Sequence, residues 1–235
     1  MFDKVLCIGH HQDTAKLFDE LTNDFIVVHY ENALEATGQL TKKSLILFVG
    51  GEDISPSLYA SSPVSSLNFG PPSPSIRDAT EKLVFKLAVK LGIPMVGICR
   101  GAQMLGVLNG FPLIQHMTGH RKNHPVHPTP LLSKLQFSTD FGDFAVSSDH
   151  HQAVYIKDPE MYEDMVLYET PTTSSNTYIL AENLELSATE IPAIPEVFYI
   201  APTKSLGFQY HPEWGQIADP QVKFFKHALT KLFLQ

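Results

Sequence analysis

Short apolar runs that alternate with amphipathic stretches predict an α/β fold, with helices on both faces of a mixed, largely parallel sheet. Two further observations support it. The 235 residues are 43% hydrophobic and 18% charged, enough for one large core without disulfide or metal staples. In the second half, short strand-like runs follow one another with few helical patterns between them, which predicts antiparallel additions to the same sheet. The expectation is a single domain over residues 1–235.

The elements follow in order. Val5–Gly9 reads as a buried strand, and Asp13–Thr22 as a helix capped by Asp13 or Thr14, with Leu17 and Leu21 on one face. Phe25–Tyr30 is a β-branched strand, and Leu45–Val49 is another, ended by Gly50-Gly51. Leu83, Leu87 and Leu91 are spaced by four, with Val84 and Ala88 beside them, which predicts a helix over Ile76–Leu91. Gly92-Ile93-Pro94 breaks it; Met95–Ile98 is the next strand, and Gln103–Leu108 continues as helix. Phe144–Val146, Ala153–Ile156, Val197–Ile200 and Leu206–Gln209 read as further strands. A last helix over Asp219–Leu232 has Asp219 as cap and Pro220 in its first turn, with Phe224, Phe225, Leu229 and Leu232 as its core face. Two stretches are expected to be loops: Ser61–Ser75, rich in Ser and Pro, and His116–Pro130, rich in His and Pro.

Charge and composition exclude several function classes. The 17 Lys+Arg against 25 Asp+Glu give a formal charge of −8, which argues against a nucleic-acid binder and against a basic membrane-surface helix. No apolar run approaches the ~18 residues of a membrane span. The stretch Met1–His10 lacks the apolar core of a secretory signal. Two cysteines, Cys7 and Cys99, are too few for a disulfide scaffold. The expected setting is a reducing, cytoplasmic compartment.

Chemistry concentrates at Gly97-Ile98-Cys99-Arg100-Gly101, where a strand runs through a cysteine into a helix. Glycines at −2 and +2 are what a tight nucleophile elbow needs, because side chains there would clash. The turn presents the thiol at the carboxyl end of the sheet and aims a helix N-terminus at it, which favours the thiolate. Cys7 lies mid-strand in an apolar run and fits a buried core position. A cysteine nucleophile needs a base and a group that orients the base. His211 is the best placed of eleven histidines, at a strand end with Glu213 two residues on, so the three form a candidate Cys–His–Glu triad.

Other clusters have plainer readings. His116, His120, His124 and His127 have metal-like spacing, but Pro125 and Pro128 break any helix that would align them and no Cys or Asp interleaves them. They are expected to form a solvated loop, with no metal and no cofactor in the protein. His10-His11 follows the first strand and either borders the pocket or forms a polar loop. Asp53 either orients the Gly-Gly loop or caps a turn. Arg77, Asp78 and Glu81 read as an ion-paired helix start. Gly50-Gly51 lacks the Gly-Lys-Ser/Thr of a phosphate loop.

Taken together, Gly50-Gly51-Glu52-Asp53-Ile54-Ser55-Pro56, Gly97-Ile98-Cys99-Arg100-Gly101-Ala102-Gln103 and Gln209-Tyr210-His211-Pro212-Glu213 resemble the class I glutamine amidotransferases in type and order. Leu58-Tyr59, Arg77-Asp78-Ala79-Thr80-Glu81 and Val146-Ser147-Ser148-Asp149-His150-His151-Gln152-Ala153-Val154 narrow the resemblance to the γ-glutamyl-γ-aminobutyrate hydrolase branch, peptidase family C26. It runs from about Leu45 to Trp214. It implies a flavodoxin-like three-layer sandwich. It also implies Cys99 as nucleophile, His211 as base, Glu213 as orienting carboxylate, and the N–H groups of Gly51 and Arg100 as the oxyanion hole. Gln103 would hold a small γ-glutamyl substrate, and Ser148, Asp149, His150 and His151 would line the pocket. The chain departs from the branch pattern Gly-Gly-x-Leu-x-Gln-Asp, having Gly110-Phe111-Pro112-Leu113-Ile114-Gln115-His116 instead. That difference lies near the expected pocket mouth and bears on the leaving amine.

Three functional readings follow. The first is a hydrolase of γ-glutamyl amide bonds that works through a thioester. The second is a glutaminase that supplies ammonia to a separate synthetase subunit, since one domain uses the 235 residues. The third is a catalytically silent binding module on the same scaffold, against which the intact Cys99, His211 and Glu213 argue.

Overall fold

The computed structural model describes residues 1–9, 13–60, 67–71, 73–137, 141–181 and 184–235. The first half runs β1 (Val5–Ile8), β2 (Phe25–Val28), α1 (Tyr30–Gly38), β3 (Leu45–Phe48), α2 (Ile76–Leu91), β4 (Met95–Ile98) and α3 (Arg100–Leu108). The second half runs β5 (Leu113–Ile114), β6 (His116–Met117), β7 (His124–Pro128), α4 (Pro130–Lys134), β8 (Phe144–Val146), β9 (Ala153–Val154), α5 (Pro159–Met165) and β10 (Val166–Pro171). It ends with β11 (Tyr178–Ala181), β12 (Leu184–Glu185), β13 (Ala193–Ile200), β14 (Ser205–Phe208) and α6 (Pro220–Phe233).

A nine-stranded sheet in the order β2-β1-β3-β4-β14-β13-β10-β7-β8 forms the middle layer. Its first five strands are parallel, and from β14 onward each neighbour is antiparallel. Alternation along each parallel strand serves both faces. Leu45, Leu47, Val96 and Ile98 join a core with Phe224, Phe225 and Leu229 of α6. Ile46, Phe48 and Met95 join another with Val84, Phe85 and Ala88 of α2. β3 is therefore apolar at every position, as a strand covered on both sides requires. The fold is α/β with a mixed, largely parallel central sheet.

Two local departures from expectation have physical reasons. Over Asp13–Thr22 only the turn Ala15–Leu17 is helical: Thr14 stands at its cap in a helical and not an extended conformation, with no side-chain capping hydrogen bond. Leu17, Phe18 and Leu21 are buried all the same. The helix α1 was invisible to periodicity because it buries only Ala33 and Thr37. It takes over Tyr30, which shortens the preceding strand to Val28. The helix at Ile76–Leu91 matches its prediction, fixed by a Ser75–Asp78 capping box and a left-handed Gly92 at its end.

Candidate active site

Cys99 follows β4 directly and precedes the first residue of α3. Its backbone is left-handed, at φ 51° and ψ −112°, which no unstrained non-glycine residue adopts. The flanking glycines make this turn possible. A Cβ on Gly97 would stand 2.4 Å from the Gly101 backbone, and one on Gly101 would stand 2.1 Å from the Phe48 carbonyl oxygen. The Cys99 N–H donates to the Phe208 carbonyl at 2.7 Å and ties the elbow to β14.

That tie brings His211 close. β14 pairs with β4 in parallel register, Phe208 beside Ile98, so the chain leaving β14 passes the thiol. His211 is buried, and its Nδ1–H donates to Glu213 Oε1 at 2.7 Å. The ring stacks on Trp214 with centroids 3.8 Å apart and planes 4° apart. Nδ1 is engaged, so Nε2 is left for the hydrogen bond with Cys99. Burial opposes charge on His211. The hydrogen bonds with Cys99 and Glu213, and the charges of both, outweigh burial and push the imidazole up to about 10. Trp214 carried no sequence signal of its own beyond following the His-Pro-Glu turn.

The Gly50–Gly51 loop closes the other side. A Cβ on Gly50 would lie 3.2 Å from His211 Cε1 and 3.6 Å from Cys99 Cβ, so glycine lets this backbone approach both. Arg77 holds the loop: its Nη2 donates to the carbonyls of Val49 at 2.6 Å and Gly50 at 3.0 Å. Its Nε reaches Glu81 Oε1 at 2.8 Å. The Arg100 guanidinium, also buried, pairs with Asp78 and with Glu81 Oε2. The ion-paired helix start is thus a buried lattice under the loop, with a positioning task that sequence spacing did not reveal. The Arg100 N–H is the first of α3, so no carbonyl of that helix faces it.

The residues expected to bind substrate divide. Gln103 is buried, and its Nε2 donates to the Gln152 carbonyl at 2.9 Å. Ser148 is buried and donates its hydroxyl to the His120 carbonyl at 2.8 Å, while Asp149 is exposed. His150 is buried beside Glu196, with 3.5 Å between Nε2 and Oε1. His151 meets Asp53 of the Gly-Gly segment, Nε2 to Oδ1 at 2.9 Å, and His116 Nδ1 lies 3.2 Å from His151 Nδ1. So His116, where the branch pattern has an acid, joins a chain that reaches Asp53. Asp53 also accepts the Phe69 N–H at 2.9 Å, which makes it an orienting group for this loop. The His10-His11 pair lies outside the described residues.

One expectation is corrected. Residues 116–130 are not a solvated loop: His124–Pro128 is strand β7, paired with β10 and β8. His120 and His124 are buried, whereas His127 is partly exposed and pairs with Asp143 at 3.0 Å. Proline excludes a helix here, but a strand next to the sheet edge tolerates it.

The family model described as Peptidase C26 matches residues 24–213. The glutamine amidotransferase-like protein YvdE of Lactococcus lactis subsp. lactis is 30% identical over 156 residues, 61% of this chain and 64% of its own length. Rv2859c of Mycobacterium tuberculosis is 29% identical over 179 residues, 72% of this chain and 50% of its own length. The chain therefore matches less than two thirds of either relative. In fold it is similar to a glutamine amidotransferase, tm1158, of Thermotoga maritima, with a TM-score of 0.55 and 17% identity over 99% of this chain and 96% of that one. With the family model spanning most of its length, the chain belongs to the Peptidase C26 family within the class I glutamine amidotransferase-like superfamily.

Proposed function

We propose that the protein is a cysteine-dependent hydrolase of γ-glutamyl amide bonds, in glutamine or γ-glutamyl amines, acting through a γ-glutamyl thioester. The observation that carries this reading is the buried Cys99–His211–Glu213 constellation at adjacent ends of β4 and β14. The Cys99 sulfur attacks the γ-carbonyl carbon while His211 holds the thiol proton. Negative charge grows on the carbonyl oxygen, where the N–H groups of Gly51 and Arg100 receive it. The tetrahedral species collapses as the C–N bond breaks, and His211 gives its proton to the leaving amine. Water, deprotonated by His211, then attacks the thioester and returns the free thiol. Glu213 keeps the ring oriented throughout.

The test is a panel of glutamine against γ-glutamyl amines, with ammonia and amine release both measured. Turnover of at least one substrate, abolished in Cys99→Ala while the circular dichroism spectrum and Tm persist, is the expected result. Wild-type turnover in Cys99→Ala would remove the nucleophile assignment. Glutamine turnover that is slow alone and rises with a synthetase partner would identify an ammonia-supplying subunit instead.

A further inference from the structure

Behind the antiparallel half of the sheet, four side chains from distant parts of the chain converge. They are His120, His124 on β7, His150, and Glu196 on β13, and all are buried. Glu196 Oε1 lies 2.9 Å from His124 Nε2, 3.4 Å from His120 Nδ1 and 3.5 Å from His150 Nε2. The four ligand atoms all lie within 4.8 Å of one another. The edge of a tetrahedral site with bonds of about 2.0–2.1 Å is about 3.3–3.4 Å, so two of these separations match such an edge.

Hydrogen bonding on the far sides of the rings points the same way. His150 Nδ1–H donates to the Gln152 carbonyl at 2.9 Å, and His124 Nδ1–H donates to the Lys122 carbonyl at 3.1 Å. In a neutral ring this leaves a lone pair on each Nε2, and both lone pairs face the Glu196 carboxylate. Lone pairs and a carboxylate oxygen repel unless a positive centre lies among them. A proton serves His124, which is within hydrogen-bond distance. It does not serve the rest: His120 Nδ1, His150 Nε2 and Glu196 Oε2 are buried without a hydrogen-bond partner. Histidines whose second nitrogen is fixed by a backbone carbonyl are the usual arrangement around a metal.

We propose that His120, His124, His150 and Glu196 form a closed site for one divalent transition-metal ion of the zinc class, with three imidazole nitrogens and one carboxylate oxygen as ligands. Nitrogen donors with a single carboxylate suit zinc or its neighbours and not calcium or magnesium. Four protein ligands in a buried setting leave no open position for reacting water, so the ion's task is structural. It ties β7 and β13 to the 147–152 segment. The Gln152 carbonyl that fixes His150 also accepts from Gln103, and the Ser147 carbonyl accepts the His211 N–H at 2.8 Å. The ion would thus stiffen one wall of the candidate active site without touching its chemistry. The sequence-level expectation of no metal considered only the histidines of residues 116–127; His150 and Glu196 complete the set. A lone glutamate inside the apolar run Ile194–Ile200 was the available signal.

The experiment uses the untagged chain carrying Cys99→Ala, so that the active-site thiol takes up no metal. It is incubated with zinc chloride, dialysed against metal-free buffer and assayed by elemental analysis. One zinc per chain is expected, with a higher Tm than after chelation, restored when zinc is returned. Glu196→Gln and His150→Asn should each lose the bound equivalent, while His127→Asn keeps it. Cobalt(II) in place of zinc should give the intense visible bands of a tetrahedral site, a readout that needs no ligand variant to fold. No retained zinc, a weak octahedral cobalt spectrum, or full retention in folded Glu196→Gln and His150→Asn would overturn the proposal.

Discussion

The two cysteines differ by environment and not by chemistry. Cys7 lies mid-strand in β1 with no exposed surface, and burial, only partly offset by a hydrogen bond with Thr14, pushes its thiol up to about 12. Cys99 has a left-handed backbone, a helix N-terminus behind it and His211 against its sulfur. Alkylation of the folded protein should therefore map by mass spectrometry to Cys99 and spare Cys7; equal labelling of the two would contradict the contrast. His211 supplies a second prediction. Its folded value of about 10 lies above the roughly 6.5 of an unfolded histidine. The proton it holds thus contributes stability that is complete below about pH 6.5 and is lost as pH rises toward 10. Glu213→Gln removes one of the groups that raise it and releases the ring orientation. The His211 titration followed by NMR should move down, and kcat should fall on the order of 10²–10⁴-fold. An unmoved titration with wild-type kcat would take Glu213 out of the site.

Between elements, the site depends on how closely backbones approach. β4, α3 and β3 meet where Gly97, Gly101 and Phe48 leave no room for a methyl group. Gly101→Ala should cost about 1–3 kcal/mol, as overpacking does, and lower kcat because α3 must retreat from β3 and carry Cys99 with it. Denaturant unfolding and steady-state rates on the same sample check this; unchanged values of both would show that the contact yields freely. The buried Arg77–Glu81–Arg100–Asp78 lattice acts on the same junction from α2, since Arg77 grips the Val49 and Gly50 carbonyls while Arg100 packs under the elbow. Charges with 5% or less exposure persist here because each has a partner. Their spacing on a helix resembled an ordinary surface ion pair, and only the approach of α3 to α2 made them internal.

For the chain as a whole, one sheet carries two side-chain clusters. Its parallel half ends in Cys99, the Gly-Gly loop and His211, at the carboxyl edge where open α/β sheets place their sites. Its antiparallel half carries β7 and β13, which hold the histidine–glutamate cluster. α6 covers the face shared by both halves, and its Phe224 and Phe225 have no exposure, each worth about 1.5–3 kcal/mol of burial. Among the described residues no helix is long and apolar enough to cross a membrane.

Local geometry was legible in residues 95–108 and 205–213 because strand, elbow glycines, Cys99 and the His211–Glu213 pair are written in contiguous segments whose turn geometry admits few alternatives. The helix over Ile76–Leu91 was equally legible, since its period, cap and terminating glycine all agree. Less was legible wherever meaning arises from contact between remote segments. His120, His124, His150 and Glu196 lie as far as 76 residues apart, and no spacing rule joins a loop, a strand and a second loop to a buried glutamate. The same holds for α1, which buries too little to leave a periodic trace, and for the ion lattice beneath the Gly50–Gly51 loop. Short-range sterics and hydrogen bonds are encoded next to the residues they constrain. Burial, and the pairing that burial demands of charged groups, exists only after the chain has closed on itself.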